Sequence, residues 1–196
     1  MPFSRLIDHF EARADLCRTL SDLASLTADA ARELGFDHFA LLHHRSLYRS
    51  GAHLIRIDSY PAGWAEALSA RLTHCGDPVH LASERSNAGF RWTALPRMVR
   101  LSARHREILR AGADFGIGEG FTVPANVPGE PIGSCSFAVR VGREIPAGRL
   151  SCAEIIGARA FQAARRLCGY PAAGLHPHLS RRELQCLELV AAGKGD

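Results

Sequence analysis

The segment from Gly120 to Leu167 constrains the fold most strongly, because two short apolar runs and a turn precede one long helical pattern. The runs are "GFTVPANV" and "IGSCSFAVRV", and "PGEP" lies between them. This arrangement is typical of a β-hairpin. The next run, "LSCAEIIGARAFQAARRL", predicts a long helix with a capping box at Ser151 and Glu154. A hairpin followed by a helix favours a fold in which helices pack on an antiparallel sheet.

The N-terminal part of the chain adds helices and further strands to this core. Residues 4–34 carry apolar positions at helical spacing, and Gly35 follows as a helix C-cap. We predict two helices there, with a break near residues 15–21. The short apolar runs "FDHFALLHH" and "HLIRIDSY" predict neighbouring strands.

Between these strands and the hairpin the pattern is mixed. Pro61 suits the first turn of a short helix in "PAGWAEALSARL". Residues 73–92 are rich in turn formers and give no clear assignment, although Asp77 is expected in a turn before an extended pair. Residues 101–117 predict another helix. The complete order predicts an α+β fold, an α/β/α sandwich with a central antiparallel sheet flanked by helices.

Composition and charge exclude several classes of protein. The net charge of +4 is too small to indicate nucleic-acid binding. No apolar run approaches the roughly 20 residues that cross a bilayer, and the N-terminus lacks the apolar region of a secretory signal. We therefore expect a cytoplasmic protein that does not bind membranes. The six cysteines form no C-x-x-C pair and are interpreted as small buried hydrophobes.

The motifs that suggest enzymes fail on their context. "GIGEG" at residues 116–120 follows a helix and opens a strand, whereas a dinucleotide-binding loop has the reverse order. "GSCSF" has Phe137 where a nucleophile elbow needs its second glycine. The ten histidines lack the spacing of zinc hydrolases and are interpreted as surface or hydrogen-bonding residues. We predict no catalytic residues, no metal and no cofactor.

One group of polar and aromatic residues indicates a binding site. Tyr60, Trp64, Asp77 and Trp92 lie within 33 residues, and Ser136 interrupts an otherwise apolar strand. Large aromatic side chains usually fill cores. A buried aspartate or serine, however, needs a partner or costs about 1–3 kcal/mol. A pocket that holds a small amphipathic ligand would supply those partners.

These residues resemble the autoinducer-binding domain of LuxR-type quorum-sensing regulators, which bind N-acyl homoserine lactones. The resemblance runs in order through "ELGFDHFAL", "YPAGW", "DPVHLASERSNAGFRW", "FGIGEGFTVP" and "PIGSCSFAV". It implies that the Trp64 indole donates to the lactone carbonyl and that Asp77 accepts from the ligand amide N–H. It also implies that Tyr60 and Ser136 donate to the amide carbonyl, and that Trp92 packs against the lactone ring.

Two further positions take their interpretation from this resemblance. Gly120 matches a family glycine and is expected to be structural, allowing a tight turn. Leu68 stands where the family usually has an aromatic residue beside the acyl chain. We therefore predict a wider and drier tail pocket that prefers longer or bulkier acyl groups, at about 0.8 kcal/mol for each buried CH₂. This departure also leaves room for a ligand that is not a lactone.

The resemblance divides the chain into an autoinducer-binding domain at residues 1–168, a linker at residues 169–179 and a short C-terminal piece. Residues 180–196 are similar to the first helix of the family's helix-turn-helix domain and carry a capping box at Ser180 and Glu183. We expect the recognition helix to be missing, so that DNA binding would need a complete helix-turn-helix domain.

The expected partners are a small-molecule autoinducer and a second protein chain, either in a homodimer or in a heterodimer with an intact LuxR-type regulator. A domain without its recognition helix could sequester ligand or form inactive heterodimers. The first helix and the helix from Ser151 to Cys168 are candidate dimer faces; the latter carries a small apolar stripe of Ala153, Ile156, Ala160 and Ala163. The alternative is that this stripe faces the chain's own sheet.

Two other functions remain open at this point. The chain could sense a different small metabolite, or it could hydrolyse a lactone with Asp77 and a histidine as base. The second alternative would need a metal or a nucleophile.

Overall fold

The computed structural model describes residues 3–44, 54–71, 76–170 and 179–193. Its helices are α1 (Phe3–Leu16), α2 (Leu20–Leu34), α3 (Trp64–Arg71), α4 (Pro78–Ser83), α5 (Leu95–Met98), α6 (Ala103–Asp114), α7 (Leu150–Leu167) and α8 (Arg181–Ala191). The strands are β1 (His38–His43), β2 (Arg56–Asp58), β3 (Phe90–Arg91), β4 (Ile117–Ala125) and β5 (Gly133–Arg140). Short 3₁₀ turns span Trp92–Ala94 and Ala147–Arg149.

The five strands form one antiparallel sheet in the order β2-β1-β5-β4-β3. This sheet, flanked by helices, confirms the predicted fold class. The β4–β5 hairpin is also confirmed, although β4 begins at Ile117, with an irregular register between Ile117 and Gly120. The central strand β5 is buried over seven of its eight residues because helices cover both faces of the sheet.

One face of the sheet is covered by α1, α2 and α7. Helix α2 begins at a capping box of Thr19 and Asp22 and ends at Gly35, whose φ of 90° is the left-handed conformation expected of a glycine C-cap. Both helices predicted within residues 4–34 are therefore confirmed. The Phe10, Leu23, Phe39, Phe137 and Phe161 side chains form part of the core on this face.

The small apolar stripe of α7 is not available as a dimer face. Ala153, Ile156 and Ala160 are fully buried, and Ala163 is 7% exposed. Helix α7 packs on β4, β5, α1 and α2, so the stripe is covered within the chain. The alternative reading of this stripe is therefore the correct one, because small side chains let the helix lie close to the sheet.

The predicted N-cap of α7 is wrong. The preceding 3₁₀ turn leads directly into the helix at Leu150, so Ser151 lies inside it, and Arg149 occupies the N-cap position without a side-chain hydrogen bond. Glu154 accepts a hydrogen bond from the backbone N–H of Gly89 instead, at 2.6 Å. The carboxylate thus ties α7 to the segment before β3.

The opposite face of the sheet carries α3, α4 and α6. Helix α3 begins at Trp64, and Pro61 lies in the turn before it, where its carbonyl accepts from the Trp64 N–H. The prediction that Pro61 opens the helix is therefore wrong by one turn. Residues 76–92, which gave no assignment from sequence, contain α4 and the short edge strand β3.

The C-terminal piece is helical, as predicted. Helix α8 begins at the capping box of Ser180 and Glu183 and leaves its apolar side chains exposed, including Leu184 and Leu187. Most of the predicted linker, residues 171–178, lies outside the described residues.

Four of the cysteines, Cys17, Cys135, Cys152 and Cys168, are free and buried as predicted; Cys186 is exposed, and Cys75 is not among the described residues. Over the described part of the chain, no helix combines the length and hydrophobicity that crossing a bilayer requires.

Candidate functional site

A cavity of about 440 Å³ lies between the sheet and the layer of α3, α4 and α6. All six predicted ligand-binding residues line this cavity: Tyr60, Trp64, Leu68, Asp77, Trp92 and Ser136. Gly120 lies in β4, against Trp92. Five of the six lining residues come from residues 60–92 and Ser136 comes from β5, so the packing of the helices on the sheet brings the predicted set together.

Trp64, the first residue of α3, offers an unpaired donor. Its indole is buried among Leu68, Ile108, Ala111 and Ile117. Gly112 of α6 lies beside the Trp64 ring, where an added Cβ would make an ordinary van der Waals contact at 3.6 Å. No hydrogen bond to the indole N–H is found among the described residues. Since that group can only donate, it suits a carbonyl oxygen of a ligand.

Asp77 begins a helix and also lines the cavity. It is the N-cap of α4, and its Oδ1 accepts from the Val79 N–H at 2.7 Å. The expected extended pair after Asp77 is therefore wrong, because Pro78 and Val79 form the first turn of α4. Burial raises the pKa of the Asp77 carboxyl above its ordinary 3.8, against the lowering effect of the Val79 N–H. A donor from a ligand would favour the ionised form.

Tyr60 presents a protonated phenol to the cavity. Burial, assisted by the Asp77 carboxylate, raises the pKa of Tyr60 far above neutral pH. Its backbone N–H is held by Asp58 Oδ1 at 3.2 Å, and its ring lies 5.9 Å from that of His38. The hydroxyl makes no hydrogen bond to a described residue and is free to donate.

Ser136 belongs to a hydrogen-bonded chain that crosses the sheet. Trp92 Nε1 donates to Thr122 Oγ1 at 2.9 Å, and Thr122 Oγ1 lies 2.8 Å from Ser136 Oγ. When Thr122 gives its hydrogen to Ser136, the Ser136 hydrogen remains free to donate into the cavity. Thr122 is a site residue that sequence reasoning missed; its place opposite Ser136 follows from the strand register. The Trp92 N–H is already used, so only the ring of Trp92 is left for a ligand.

Gly120 has a different structural role from the one expected. Its φ is not positive, so it forms no tight turn that only glycine could adopt. A Cβ at this position would lie 2.4 Å from the Trp92 ring, well inside van der Waals contact. The glycine is needed because the Trp92 indole lies directly against the β4 backbone.

Leu68 is buried beside Trp64 and Ile108 and lines the cavity as an apolar residue. Ile108, Leu109 and Ile117 add further apolar wall from α6 and β4. This part of the cavity has the chemistry of an alkyl-binding surface.

Sequence reasoning also missed a pair of histidines. His44 and His80 lie in different elements, yet their rings stack with centroids 3.9 Å apart and planes inclined by 5°. His44 Nε2 lies 3.1 Å from Ser134 Oγ. His80 and Ser134 both line the cavity. Ser134 could have been found from sequence, because it is two residues from Ser136 and so shares its face of β5.

The Ser134–His44 pair does not have the properties of a catalytic nucleophile and base. Burial, assisted by His80, lowers the pKa of His44 to about 2, which makes it a very weak base. His44 Nδ1 is 3.9 Å from Glu84 Oε1, beyond hydrogen-bonding distance for an orienting carboxylate. Within the described residues, no three His, Cys, Asp or Glu side chains are grouped so that they could hold a metal.

A family model and two sequence relatives show what this chain is similar to. The family model described as "autoinducer binding domain" matches residues 19–167. The proposed HTH-type transcriptional regulator y4qH of Sinorhizobium fredii is 26% identical over 151 residues, which are 77% of this chain and 46% of that protein. The transcriptional activator protein TraR of Agrobacterium vitis is 29% identical over 97 residues, 50% of this chain and 39% of TraR. The chain thus spans less than half the length of these two relatives.

Solved structures show the same fold. The crystal structure of Escherichia coli SdiA superposes with a TM-score of 0.67 at 22% identity, over 98% of this chain and 80% of SdiA. SdiA in complex with octanoyl-rac-glycerol gives a TM-score of 0.66 at 21% identity, over 100% of this chain and 79% of SdiA.

Proposed function

Because the chain belongs to the family of autoinducer-binding domains, we propose that it is the receptor part of a LuxR-type quorum-sensing regulator and binds an N-acyl homoserine lactone. The observation that carries this proposal is the chemistry of the cavity lining. Trp64, Tyr60 and Ser136 offer donors, and Asp77 offers a buried acceptor, beside an apolar surface. An acyl homoserine lactone has the matching parts: two carbonyl oxygens, one amide N–H and an alkyl chain.

Each polar group then has a partner. The Asp77 carboxylate would accept from the amide N–H, and the Trp64 indole would donate to the lactone carbonyl. Tyr60 and Ser136 would donate to the amide carbonyl, and the ring of Trp92 would cover the lactone. The hydrogen bond to an ionised acceptor is worth about 1.5–3 kcal/mol. The alkyl chain would lie along Leu68 and its apolar neighbours.

Two substitutions test the polar contacts. Asp77→Asn keeps an oxygen that can cap α4, since asparagine and aspartate are similar N-caps, but removes the charged acceptor. Trp64→Phe removes the indole N–H and keeps most of the packing. We expect each variant to bind octanoyl homoserine lactone about ten- to hundredfold more weakly by titration calorimetry. Arg104→Ala, on the exposed side of α6, is the control and should bind like the unsubstituted protein.

Recovery of the natural ligand tests the proposal directly. Protein produced in lactone-making cells should release an intact acyl homoserine lactone on extraction, identified by mass spectrometry. Recovery of the ring-opened acid from a purified protein incubated with lactone would contradict the receptor role. Full affinity in Asp77→Asn would show that the polar contacts are assigned wrongly.

Leu68 supports a preference for long acyl chains. We expect affinity to rise from butanoyl to dodecanoyl lactone, because each further buried CH₂ contributes about 0.8 kcal/mol until the cavity is filled. Leu68→Tyr should narrow the tail pocket and shift the optimum to shorter chains. A series that favours the shortest member in the unsubstituted protein would contradict this prediction.

A second ligand class has one specific observation in its favour. SdiA, a structural neighbour, has a solved structure in complex with octanoyl-rac-glycerol, which has an acyl chain and polar head but no amide N–H. Octanoyl-glycerol belongs in the same titration series. Asp77→Asn should weaken lactone binding more than glycerol-ester binding, because only the lactone offers an amide N–H to the carboxylate.

The remaining assignments concern the whole regulator. We propose residues 1–168 as the binding domain, residues 169–179 as a linker, and residues 180–196 as part of a helix-turn-helix domain. The regulator would dimerise, with itself or with another LuxR-type chain, and would bind DNA only through a complete helix-turn-helix domain. Sedimentation of the liganded protein, alone and mixed with a full-length regulator, distinguishes the two kinds of dimer.

A further inference from the structure

His80 places an imidazole on the cavity wall that the lactone head group does not use. It lies in α4, three residues after the N-cap Asp77, so about one helical turn separates the two residues. The head-group contacts above are complete with Tyr60, Trp64, Asp77 and Ser136. His80 is therefore a polar residue of the cavity without an assigned role.

The orientation of the His80 ring is set by its neighbours. His44 stacks against it with ring centroids 3.9 Å apart. His44 is in turn held by Ser134, whose Oγ lies 3.1 Å from His44 Nε2. The stacking fixes the plane of the His80 ring, which forms part of the cavity wall.

His80 has hydrogen-bonding capacity that the described residues do not use. No hydrogen bond to its side chain is made by any described residue. Burial lowers the pKa of His80 to about 3, so the ring is neutral near neutral pH. A neutral imidazole has one donor and one acceptor nitrogen and can therefore pair with a hydroxyl or with a keto oxygen.

The strand register separates Ser134, which contacts the His44–His80 stack, from Ser136. Ser136 pairs with Ala40, whereas Ser134 pairs with Leu42. Two residues along a strand correspond to roughly 6.6 Å. The His44–His80 stack lies at the Ser134 end, so a ligand whose amide is held at Ser136 would bring its acyl chain towards His80.

We propose that His80 selects acyl homoserine lactones whose acyl chain carries a hydroxyl or keto oxygen. The inference rests on the proposed lactone-binding function. A plain alkyl chain would cover the imidazole without pairing it, whereas an oxygen on the chain would form a hydrogen bond. Leu68 and His80 would then select different features of the ligand. The leucine would favour a long acyl chain, and the histidine would favour an oxygen on that chain.

The test compares three ligands of equal chain length: octanoyl, 3-hydroxyoctanoyl and 3-oxooctanoyl homoserine lactone. Titration calorimetry of the unsubstituted protein should show about five- to tenfold tighter binding for at least one oxygenated lactone than for the plain one. His80→Leu should remove this preference and leave affinity for the plain lactone equal or higher. His80→Gln, which keeps a donor and an acceptor, should retain most of the preference. His9→Leu, on the exposed face of α1, is the matched control.

Equal affinity for all three lactones in the unsubstituted protein would overturn the inference without any variant and would leave the receptor function standing. Survival of the preference in folded His80→Leu would also overturn it, as would its loss in His9→Leu. If none of the three lactones binds, the proposed ligand class is wrong, and the role of His80 falls with it. Binding of the plain lactone thus distinguishes a wrong role for His80 from a wrong ligand class.

Discussion

At the scale of single residues, the site uses side chains that the fold also needs. Asp77 caps α4 and is the only carboxylate among the head-group residues. Ser136 accepts or donates within the chain from Trp92 through Thr122, and this chain orients its hydroxyl. Truncating one of these side chains would therefore disturb ligand binding and local structure together. Substitutions that keep the shape of the side chain are more informative.

The raised pKa of Asp77 predicts that lactone binding depends on pH. The carboxyl binds its proton more tightly in the folded, unliganded protein than in the unfolded chain. The free energy of unfolding of the unliganded protein should therefore fall as pH rises from about 3.8 through the raised pKa. The ligand N–H needs the ionised form, so binding releases a proton. Affinity should therefore increase with pH across this window, by at most about tenfold per pH unit, and then level off.

Calorimetric titrations between pH 4 and pH 7 would measure this dependence. Asp77→Asn has no carboxyl to titrate, and its weaker affinity should vary much less with pH. An equally steep dependence in the asparagine variant would assign the proton to another group.

At the scale of elements, the site depends on how closely neighbouring segments approach. The 3₁₀ turn that begins at Trp92 lies against β4, and the approach is possible only because residue 120 has no side chain. On the other face of the sheet, the Phe161 ring of α7 lies directly against the β5 backbone at Gly133, which has no side chain. Both faces of the sheet thus rely on glycine where a large aromatic ring meets the backbone.

Gly120→Ala should displace the Trp92 ring and break its hydrogen bond to Thr122. We expect a destabilisation of about 1–3 kcal/mol from overpacking and at least tenfold weaker lactone binding, because Trp92 and Ser136 both move. Chemical denaturation and titration calorimetry measure the two effects. Gly148→Ala is the control: a Cβ there meets nothing within 4 Å and its φ is not positive, so stability and affinity should be unchanged. Unchanged affinity in Gly120→Ala would mean that Trp92 does not contact the ligand.

At the scale of the whole molecule, the binding cavity lies between two layers of the fold. The face with α1, α2 and α7 has a continuous apolar core, whereas the face with α3, α4 and α6 encloses the cavity. A ligand in that space would act as part of the core. Its binding free energy would then add to the stability of the folded state.

Saturation with a lactone at 100 times its Kd should therefore stabilise the fold by about 2.7 kcal/mol. For a chain of this size that corresponds to a rise in Tm of roughly 5–10 °C. Differential scanning fluorimetry with and without ligand measures the shift, and Asp77→Asn should show a smaller one at the same ligand concentration. A Tm that does not respond to a lactone shown to bind would place the ligand outside the core.

The local elements and the site composition could be predicted from sequence alone because they depend on short-range patterns. Apolar spacing, Gly35 and the hairpin turn predicted α1, α2, α7 and the β4–β5 pair, and the buried polar residues predicted a pocket. Asp77 as a helix cap was missed although an aspartate followed by a proline is typical of a helix start, because α4 has only six residues and shows no helical apolar period. The α7 stripe was ambiguous for a related reason: an apolar face does not specify what covers it.

The sequence by itself therefore determined which elements form and which side chains need partners inside the protein. Only the tertiary structure decided which of those side chains meet, because strand register and layer packing join distant residues, such as His44 and Ser134, which lie 90 positions apart. His44, Ser134 and His80 illustrate this difference. Nothing in their spacing relates them, and it is the pairing of β1 with β5 and the packing of α4 on the sheet that bring them together.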